Sequence, residues 1–166
     1  MVHAHGARAA ELAARAGARS VEHGTWLDDA AVGAMAEHGT WLVPTLSNTQ
    51  TDPAAAAEGA AEAHRHAVGL AIEAGVPVAM GSDNPVRPHG EVLREIEHLS
   101  RTGLGPAGAF RAATRGAARL LGLADDRGEI AVGKRADLVL LAGTTLDPTA
   151  LDRRIRGVRR DGVRAR

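Results

Sequence analysis

Histidine and aspartate residues at three points of the sequence have the types and positions expected of ligands for a divalent metal ion. His3 and His5 are two residues apart in a segment predicted as a β-strand, so their side chains share one face. His23 and Asp83 each follow another predicted strand, and parallel βα architectures gather their active sites at that end. Imidazole nitrogens and a carboxylate suit a divalent metal with an open coordination position. The pattern favours a metal site of His3, His23 and Asp83.

Single residues of this kind also have simpler explanations. His64 and His66 are two residues apart in a predicted helix, where their side chains point about 200° apart, so they are not expected to share an ion. Asp83 precedes an Asn-Pro turn and, taken alone, equally fits a side chain that bonds the turn backbone. It is the combination of three residues at matching strand ends that favours metal binding.

Strands and helices alternate along the first half of the chain. Strands are predicted at residues 1–6, 19–22, 40–45 and 76–80, and helices at 7–16, 29–38 and 53–74. Glycines follow these helices, and Asp28 is positioned to cap the second. Alternation with short links indicates βα units and a parallel sheet.

The second half has a different pattern. Helices are predicted at 91–101 and from Pro106, followed by strands at 129–132, 136–141 and 155–158 and around Val163. An Asp-Gly pair at 161–162 between apolar alternations is a strong hairpin signal. We therefore predict one domain at residues 1–125 and an antiparallel segment at 126–166. The seven arginines of residues 151–166 fit a charge-protected strand edge better than a nucleic-acid-binding tail, because apolar residues alternate with them.

Composition excludes several classes of protein. The 166 residues contain 20 Lys+Arg and 20 Asp+Glu, which argues against nucleic-acid or anionic-membrane partners. There is no cysteine, so any metal must be held by histidine and carboxylate. No apolar run approaches the roughly 20 residues that span a bilayer, and no leader precedes the first predicted strand. A soluble cytoplasmic protein is expected.

Six short motifs occur in order over almost the whole chain. They are Val-His-Ala-His-Gly at 2–6, Ser-Val-Glu-His-Gly at 20–24, Val-Pro-Thr-Leu at 43–46, Val-Pro-Val-Ala-Met-Gly-Ser-Asp at 76–83, Ala-Arg-Leu-Leu-Gly-Leu at 118–123 and Gly-Glu-Ile-Ala-Val-Gly-Lys-Arg-Ala-Asp at 128–137. In this series the chain resembles the C-terminal half of metal-dependent amidohydrolases, in the branch of imidazolonepropionase-like enzymes and Xaa-Pro dipeptidases. The resemblance implies an α/β fold: strands five to eight of a (β/α)8 TIM-like barrel, followed by antiparallel strands of a small β-sandwich.

The resemblance also implies roles for individual residues. His3 on the fifth strand, His23 on the sixth and Asp83 on the eighth would hold a divalent metal, zinc, of which intact relatives bind one or two ions. Asp83 would take a proton from the attacking water and pass it to the leaving amine. The substrate would be a small-molecule amide, cyclic amide or dipeptide.

Three further residues are candidates for contact with that substrate. His5 is expected to line the pocket or bond a neighbour. Arg87 and His89 follow the eighth strand, and Arg87 could pair a carboxylate. Both also fit ordinary exposed loop residues, because only the position of their loop favours them.

Parts of the family pattern are absent. The His-x-His of the first strand and the lysine of the fourth are missing, since Lys134, the single lysine, lies in a Gly-Lys turn. A complete barrel needs about 250 residues. We therefore expect a truncated chain with impaired activity when alone. The alternatives are a half-barrel completed by a partner chain or a second copy, and a non-catalytic fragment.

Overall fold

The parallel sheet at the start of the chain has three strands, joined by helices. The structure is a computed structural model that describes residues 1–86 and 88–165. Strands β1 (Val2–Gly6), β2 (Ser20–Trp26) and β3 (Trp41–Val43) lie in the order β1-β2-β3. Helices α1 (Ala7–Arg15) and α2 (Asp29–Glu37) connect them, and both strand pairs are parallel. The predicted βα units are thus confirmed for this part of the chain.

Local sequence explains where these helices begin and end. The Asp28 side chain accepts a hydrogen bond from Ala31 N at 2.9 Å, which caps the start of α2. Gly17 follows α1 with φ +80°, a left-handed conformation that glycine adopts without a steric penalty. Both helices bury alanine-rich faces: α1 packs against β1 and β2, and α2 packs against α1. These caps fix the length of each unit and therefore where the next strand begins.

The segment 76–80, predicted as a fourth strand, is not a strand in the structure. It contacts β3 through one parallel bridge between Leu42 and Val78. Leu42 N donates to Pro77 O at 2.9 Å, and Ala79 N donates to Leu42 O at 3.0 Å. Pro77 has no N–H to extend the ladder, which limits the pairing. The segment still runs beside β3, so Asp83 follows at the same end of the sheet as the ends of β1 and β2.

The predicted long helix over residues 53–74 is also wrong, because the structure divides it. Helix α4 covers Pro53–Ala57 and α5 covers Ala60–Glu73. Between them, Gly59 has φ +73°, which a continuous helix excludes. A further short helix that was not predicted, α3 (Ser47–Gln50), comes directly after β3. Helix α3 begins two residues after Thr45, whose hydroxyl faces His23.

A group of helices follows the turn after residue 83. A 3₁₀ turn at His89–Glu91 leads into α6 (Leu93–Ser100) and then α7 (Gly105–Arg111). A π-helical turn at Ala112–Gly116 continues α7 into α8 (Ala117–Leu120). The apolar faces of these helices are part of the same core as the parallel sheet. None of the helices in the described residues combines the length and hydropathy that crossing a bilayer requires.

The C-terminal segment forms a second sheet, which is antiparallel. Strands β4 (Leu138–Leu141), β5 (Ile155–Arg160) and β6 (Val163–Arg164) lie in the order β4-β5-β6, with a short helix α9 (Leu151–Arg154) before β5. The hairpin at 161–162 is confirmed, since it joins β5 to β6. The change from parallel to antiparallel pairing is as predicted.

The strand predicted at residues 129–132 is wrong. The segment is irregular, with a bend at 129 and a turn beginning at 132, and Ile130 is 88% exposed. Lys134 Nζ donates to Ala124 O at 2.6 Å and also pairs with Glu129, which closes the segment into a loop. The alternation of residue types there does not correspond to a buried face.

Gly128 connects the helical part to this loop at a point with no room for a side chain. Its φ is +98°, and a Cβ there would lie 2.6 Å from Ala118 Cβ and 3.2 Å from Arg115 Cα. We expect Gly128→Ala to lower the free energy of unfolding by about 1–3 kcal/mol, because strain and overpacking add. The measurement is chemical denaturation of the purified chain.

Gly33→Ala is the matched control for this substitution. A Cβ at Gly33, inside α2, would meet nothing within 4 Å, so we expect a gain of about 0.5–1 kcal/mol. Equal stability of the Gly128→Ala variant and the unsubstituted chain would contradict the packing described here.

Candidate metal centre

Three imidazole rings meet where β1 and β2 lie side by side. Ala4 is opposite His23 in the parallel register, and His3 and His5 flank the buried Ala4 on the other face of β1. Ring centroids are 4.9 Å apart for His3 and His5, 4.5 Å for His3 and His23, and 4.6 Å for His5 and His23. One nitrogen from each ring lies within 4.8 Å of the others. His3 and His5 share a face of β1 as predicted. The left-handed backbone at His23 (φ +74°) brings its ring to that face, since a regular strand would place His23 on the face of its partner Ala4.

Two threonine hydroxyls hold two of these rings. His5 Nδ1 is 2.8 Å from Thr25 Oγ1, and His23 Nδ1 is 2.7 Å from Thr45 Oγ1. When Nδ1 carries the proton and donates to the hydroxyl, Nε2 is left unprotonated and able to bind a cation. Both threonines are buried, and the contact of Thr45 with His23 is buried as well, whereas His5 itself is exposed.

The electrostatic surroundings favour the neutral form of the His5 and His23 imidazoles. Burial lowers the pKa of His5, and the neighbouring His3 lowers it further. Burial also lowers the pKa of His23, with smaller contributions in the same direction from His5 and His3. The charge of Asp83 opposes both shifts without reversing them. A neutral imidazole is the form that binds a metal, so little proton release would accompany binding at neutral pH.

Three non-glycine residues near this edge of the sheet have left-handed backbone conformations. The expectation that His23 follows its strand is wrong, since His23 lies within β2, whereas Thr45 follows β3 and Asp83 follows the segment 76–80. His23 has φ +74°, Thr45 has φ +52° and Asp83 has φ +54°. Such conformations are uncommon for residues with a Cβ and cluster at functional sites. The Asp83 carboxylate accepts a hydrogen bond from Asn48 Nδ2 at 2.8 Å through Oδ2. The backbone therefore turns sharply at each point that presents a candidate functional side chain.

A buried histidine supports the strained backbone at His23. His64, on α5, places Nε2 3.0 Å from the carbonyl oxygen of His23 and Nδ1 2.9 Å from Thr49 Oγ1. Burial lowers the pKa of His64 to about 4, so the ring is neutral at pH 7. A carbonyl can only accept, so Nε2 carries the proton and donates it to His23 O.

Comparison with known proteins agrees with this geometry. The model of the amidohydrolase family matches residues 1–165 of the chain. The chain belongs to the amidohydrolase family. The expected family relationship is thereby confirmed.

Individual relatives are substantially longer than this amidohydrolase chain. An imidazolonepropionase from Psychromonas ingrahamii is 39% identical over 138 residues, which cover 78% of the chain and 31% of the relative. An ochratoxinase from Aspergillus niger is 31% identical over 158 residues, covering 87% of the chain and 32% of the relative. The chain thus spans about a third of the length of these relatives.

Solved structures show the same correspondence in three dimensions. A Xaa-Pro dipeptidase with methionine bound in its active site matches with a TM-score of 0.87 and 32% identity, over 98% of this chain and 43% of that chain. The Aspergillus niger ochratoxinase structure matches with a TM-score of 0.84 and 28% identity, over 98% and 40%. The fold of this amidohydrolase chain is therefore that of a part of longer enzymes.

The structure brings some of the predicted site residues together and separates others. His3 and His23 meet as predicted, and His5 joins them while bonding Thr25. Asp83 is not a member of the group of close donor atoms found among the described residues, although its charge acts on the rings of His5 and His23. The metal-binding roles of these residues remain predictions.

Of the two loop residues predicted to contact the substrate, the structure describes only His89. His89 begins an exposed 3₁₀ turn and places Nδ1 3.3 Å from Asn84 Nδ2, which ties it to the turn after Asp83. Arg87 lies outside the described residues. Substrate contact by either residue remains a prediction.

The residues that orient the site were not found by sequence analysis. Thr25, Thr45, Asn48 and His64 each contact a candidate functional residue, yet none carries chemistry of its own. The sequence did contain one indication of the two threonines. Thr25 lies near the end of β2, the strand that carries His23, and Thr45 follows the neighbouring strand β3. A hydroxyl at such a position is well placed to bond an imidazole of the next strand.

The buried state of His64 makes stability depend on pH. Its folded pKa of about 4 lies below the ordinary value of 6.5, so between these values the unfolded chain binds more protons. The free energy of unfolding therefore falls as pH decreases from 7 to 4, by about 3 kcal/mol from this group. We expect His64→Gln to lose that part of the acid sensitivity, measured by urea denaturation at pH 7 and pH 5.

His66→Gln, an exposed histidine substitution on the same helix, is the control and should retain the full acid sensitivity. An unchanged pH dependence in His64→Gln would show that His64 is not buried in its neutral form.

Proposed function

We propose that this chain carries the divalent metal centre of an enzyme that hydrolyses carbon–nitrogen bonds. In this proposal His3, His23 and Asp83 hold the ion, which is zinc, and His5 offers a further nitrogen donor beside them. The observation that carries the proposal is the convergence of three histidine donor atoms within 4.8 Å of one another. Membership of the amidohydrolase family makes metal binding the expected role of this cluster.

The donor set fits such an ion. Zinc is bound by imidazole nitrogen and carboxylate oxygen, and catalytic sites keep one position open. Metal-binding histidines typically donate their second ring N–H to a fixed acceptor, and Thr25 and Thr45 are placed to accept from His5 and His23. The neutral state of both rings also suits binding.

The proposed chemistry assigns proton transfer to Asp83. A divalent metal, when bound, activates a water and polarises the scissile carbonyl. Asp83 accepts the proton of the attacking water and delivers it to the leaving amine. The bond from Asn48 Nδ2 to Oδ2 holds the orientation of this carboxylate. Arg87 and His89 contact the substrate, and His5 lines the pocket beside the ion.

The matched structures support the proposal that this chain is part of a (β/α)8 barrel. We propose that β1, β2, β3 and the segment 76–80 correspond to strands five to eight of a (β/α)8 barrel, with residues 1–125 as the barrel part. Residues 126–166 would then contribute to a small β-sandwich. Support comes from the matched solved structures, of which this chain covers 40–43%.

The names of the relatives narrow the substrate class. They include an imidazolonepropionase, an ochratoxinase and a Xaa-Pro dipeptidase. The proposed substrate is accordingly a small molecule with an amide, a cyclic amide or a dipeptide bond.

Metal binding is the direct test of this proposal. We expect the purified chain to bind Zn²⁺ in calorimetric titration, and His3→Ala and His23→Ala each to weaken binding at least tenfold, because each removes one donor. His66→Ala, an exposed histidine substitution elsewhere, should leave affinity unchanged. Equal affinities in all four proteins would mean that the ion binds at another place.

A second candidate function is assembly with a further chain or a second copy that completes the barrel. The observation that favours it is the open edge of β1, which is the outer strand of its sheet. A cavity of about 480 Å³ opens beside this sheet and is lined by Met1, Glu22, Val43 and Met80 among others. In a closed barrel such residues would contact the opposite strands.

Activity and association state together distinguish these possibilities. We expect the 166-residue chain alone, supplied with zinc or manganese, to hydrolyse N-acyl amino acids and Xaa-Pro dipeptides weakly or not at all, because half the barrel pattern is absent. We expect light scattering to show self-association through the open edge. Efficient turnover by a monomer, abolished by Asp83→Asn, would contradict both the impaired activity and the need for completion.

A further inference from the structure

Residues 45–49, which follow β3, contact the candidate metal centre at three points. Thr45 Oγ1 lies 2.7 Å from His23 Nδ1. Asn48 Nδ2 donates to Asp83 Oδ2 at 2.8 Å. Thr49 Oγ1 lies 2.9 Å from His64 Nδ1, and His64 in turn holds the His23 carbonyl. This 45–49 segment therefore reaches both the ring of His23 and the carboxylate of Asp83.

The segment is itself held by a buried carboxylate on another helix. Glu95, on α6, has 0% of its surface exposed. Its Oε1 accepts from Leu46 N at 2.7 Å, and its Oε2 accepts from Ser47 N at 2.8 Å and from Ser47 Oγ at 2.7 Å. Three donors on two adjacent residues fix the backbone at the middle of the 45–49 segment.

Burial of a carboxylate costs free energy, which hydrogen bonds to it must offset. We therefore take the position of the 45–49 segment to be important. Burial raises the pKa of Glu95, and only the three donors from Leu46 and Ser47 oppose this shift. Thr45, immediately before them, has φ +52°, a conformation that needs support from its surroundings. The two backbone N–H bonds restrain the chain directly after this strained residue, and thereby restrain the hydroxyl that faces His23.

Resting on the metal centre proposed above, we infer that Glu95 is a positioning residue: through the 45–49 segment it aligns the His23 ring and the Asp83 carboxylate for metal binding. Glu95 touches neither residue. Its influence passes to His23 through Thr45 and to Asp83 through Asn48, so one anchor sets the relative placement of two groups from different strand ends.

The test compares Glu95→Gln with Glu97→Gln, a substitution of a partly exposed glutamate on the same helix that pairs with Arg101. A glutamine at 95 keeps the size of the side chain but presents an N–H₂ group to one of the donors. We expect Co²⁺ affinity, measured from its visible absorption in the full chain, to fall at least tenfold in Glu95→Gln. We expect it to stay within twofold of the unsubstituted chain in Glu97→Gln.

Substitutions at Thr45 test the path of this influence. Thr45→Val removes the hydroxyl and should weaken Co²⁺ binding at least fivefold, whereas Thr45→Ser should restore it. The double variant Glu95→Gln with Thr45→Val should bind no more weakly than the weaker of the two single variants, because both changes act through the same contact.

A second readout does not need metal. Long-range ¹H–¹⁵N spectra of the metal-free chain report which nitrogen of His23 is protonated. We expect the Nδ1–H form in the unsubstituted chain and in Glu97→Gln, and a mixture of both forms in Glu95→Gln. Where Glu95→Gln fails to fold, Ser47→Ala removes one of the three bonds and should give a smaller change in the same direction.

The outcomes separate this inference from the proposed function. Loss of thermal stability in Glu95→Gln with unchanged Co²⁺ affinity and an unchanged His23 tautomer would overturn the positioning role. Failure of the unsubstituted chain to bind Co²⁺ would overturn the metal centre, while the His23 tautomer would still decide whether Glu95 orients that ring.

Discussion

The parallel pairing of β1 with β2 is the interaction on which the candidate site depends. The register that places Ala4 opposite His23 also places His3 and His5 on either side of it. A shift of one residue would turn both histidines to the other face, because side chains alternate along a strand. Helix α1, which Gly17 ends, sets this register because it fixes the length of the connection between the two strands. The three-histidine cluster thus depends on this pairing together with the left-handed backbone of His23 (φ +74°), because a regular strand would place His23 on the face of its partner Ala4, away from His3 and His5.

Around this pairing, the site is oriented by residues that carry no reactive chemistry. Thr25 and Thr45 fix two rings, His64 supports the backbone at His23, and Asn48 fixes Asp83. Most of these groups are buried, where hydrogen bonds are protected from competing water. Glu95 extends the same arrangement into α6, so a helix outside the sheet takes part in placing the site. Orientation of ligands by such outer contacts is a general property of metal centres.

The order of the first strands and helices and the meeting of His3 with His23 follow from local sequence more directly than the boundaries of the elements do. The strand and helix alternation and the shared face of His3 and His5 follow from local pattern, and these agree with the structure. The division of the predicted helix at Gly59 was missed, because an isolated glycine is tolerated in many helices. The irregular structure at 129–132 was missed because alternating apolar residues look alike whether or not a second layer covers them. Glu95 could not be found from the sequence, since its partners at 46 and 47 are backbone groups almost fifty residues away.

X-ray absorption spectroscopy of the zinc-loaded chain tests the central claim most directly, that histidines of β1 and β2 form one metal centre. The account predicts an ordered shell of nitrogen and oxygen donors at about 2.0–2.1 Å with the outer-shell scattering of at least two imidazoles. It also predicts that His23→Ala removes one imidazole from that shell. A spectrum of oxygen donors without imidazole scattering, or one that His23→Ala leaves unchanged, would contradict it.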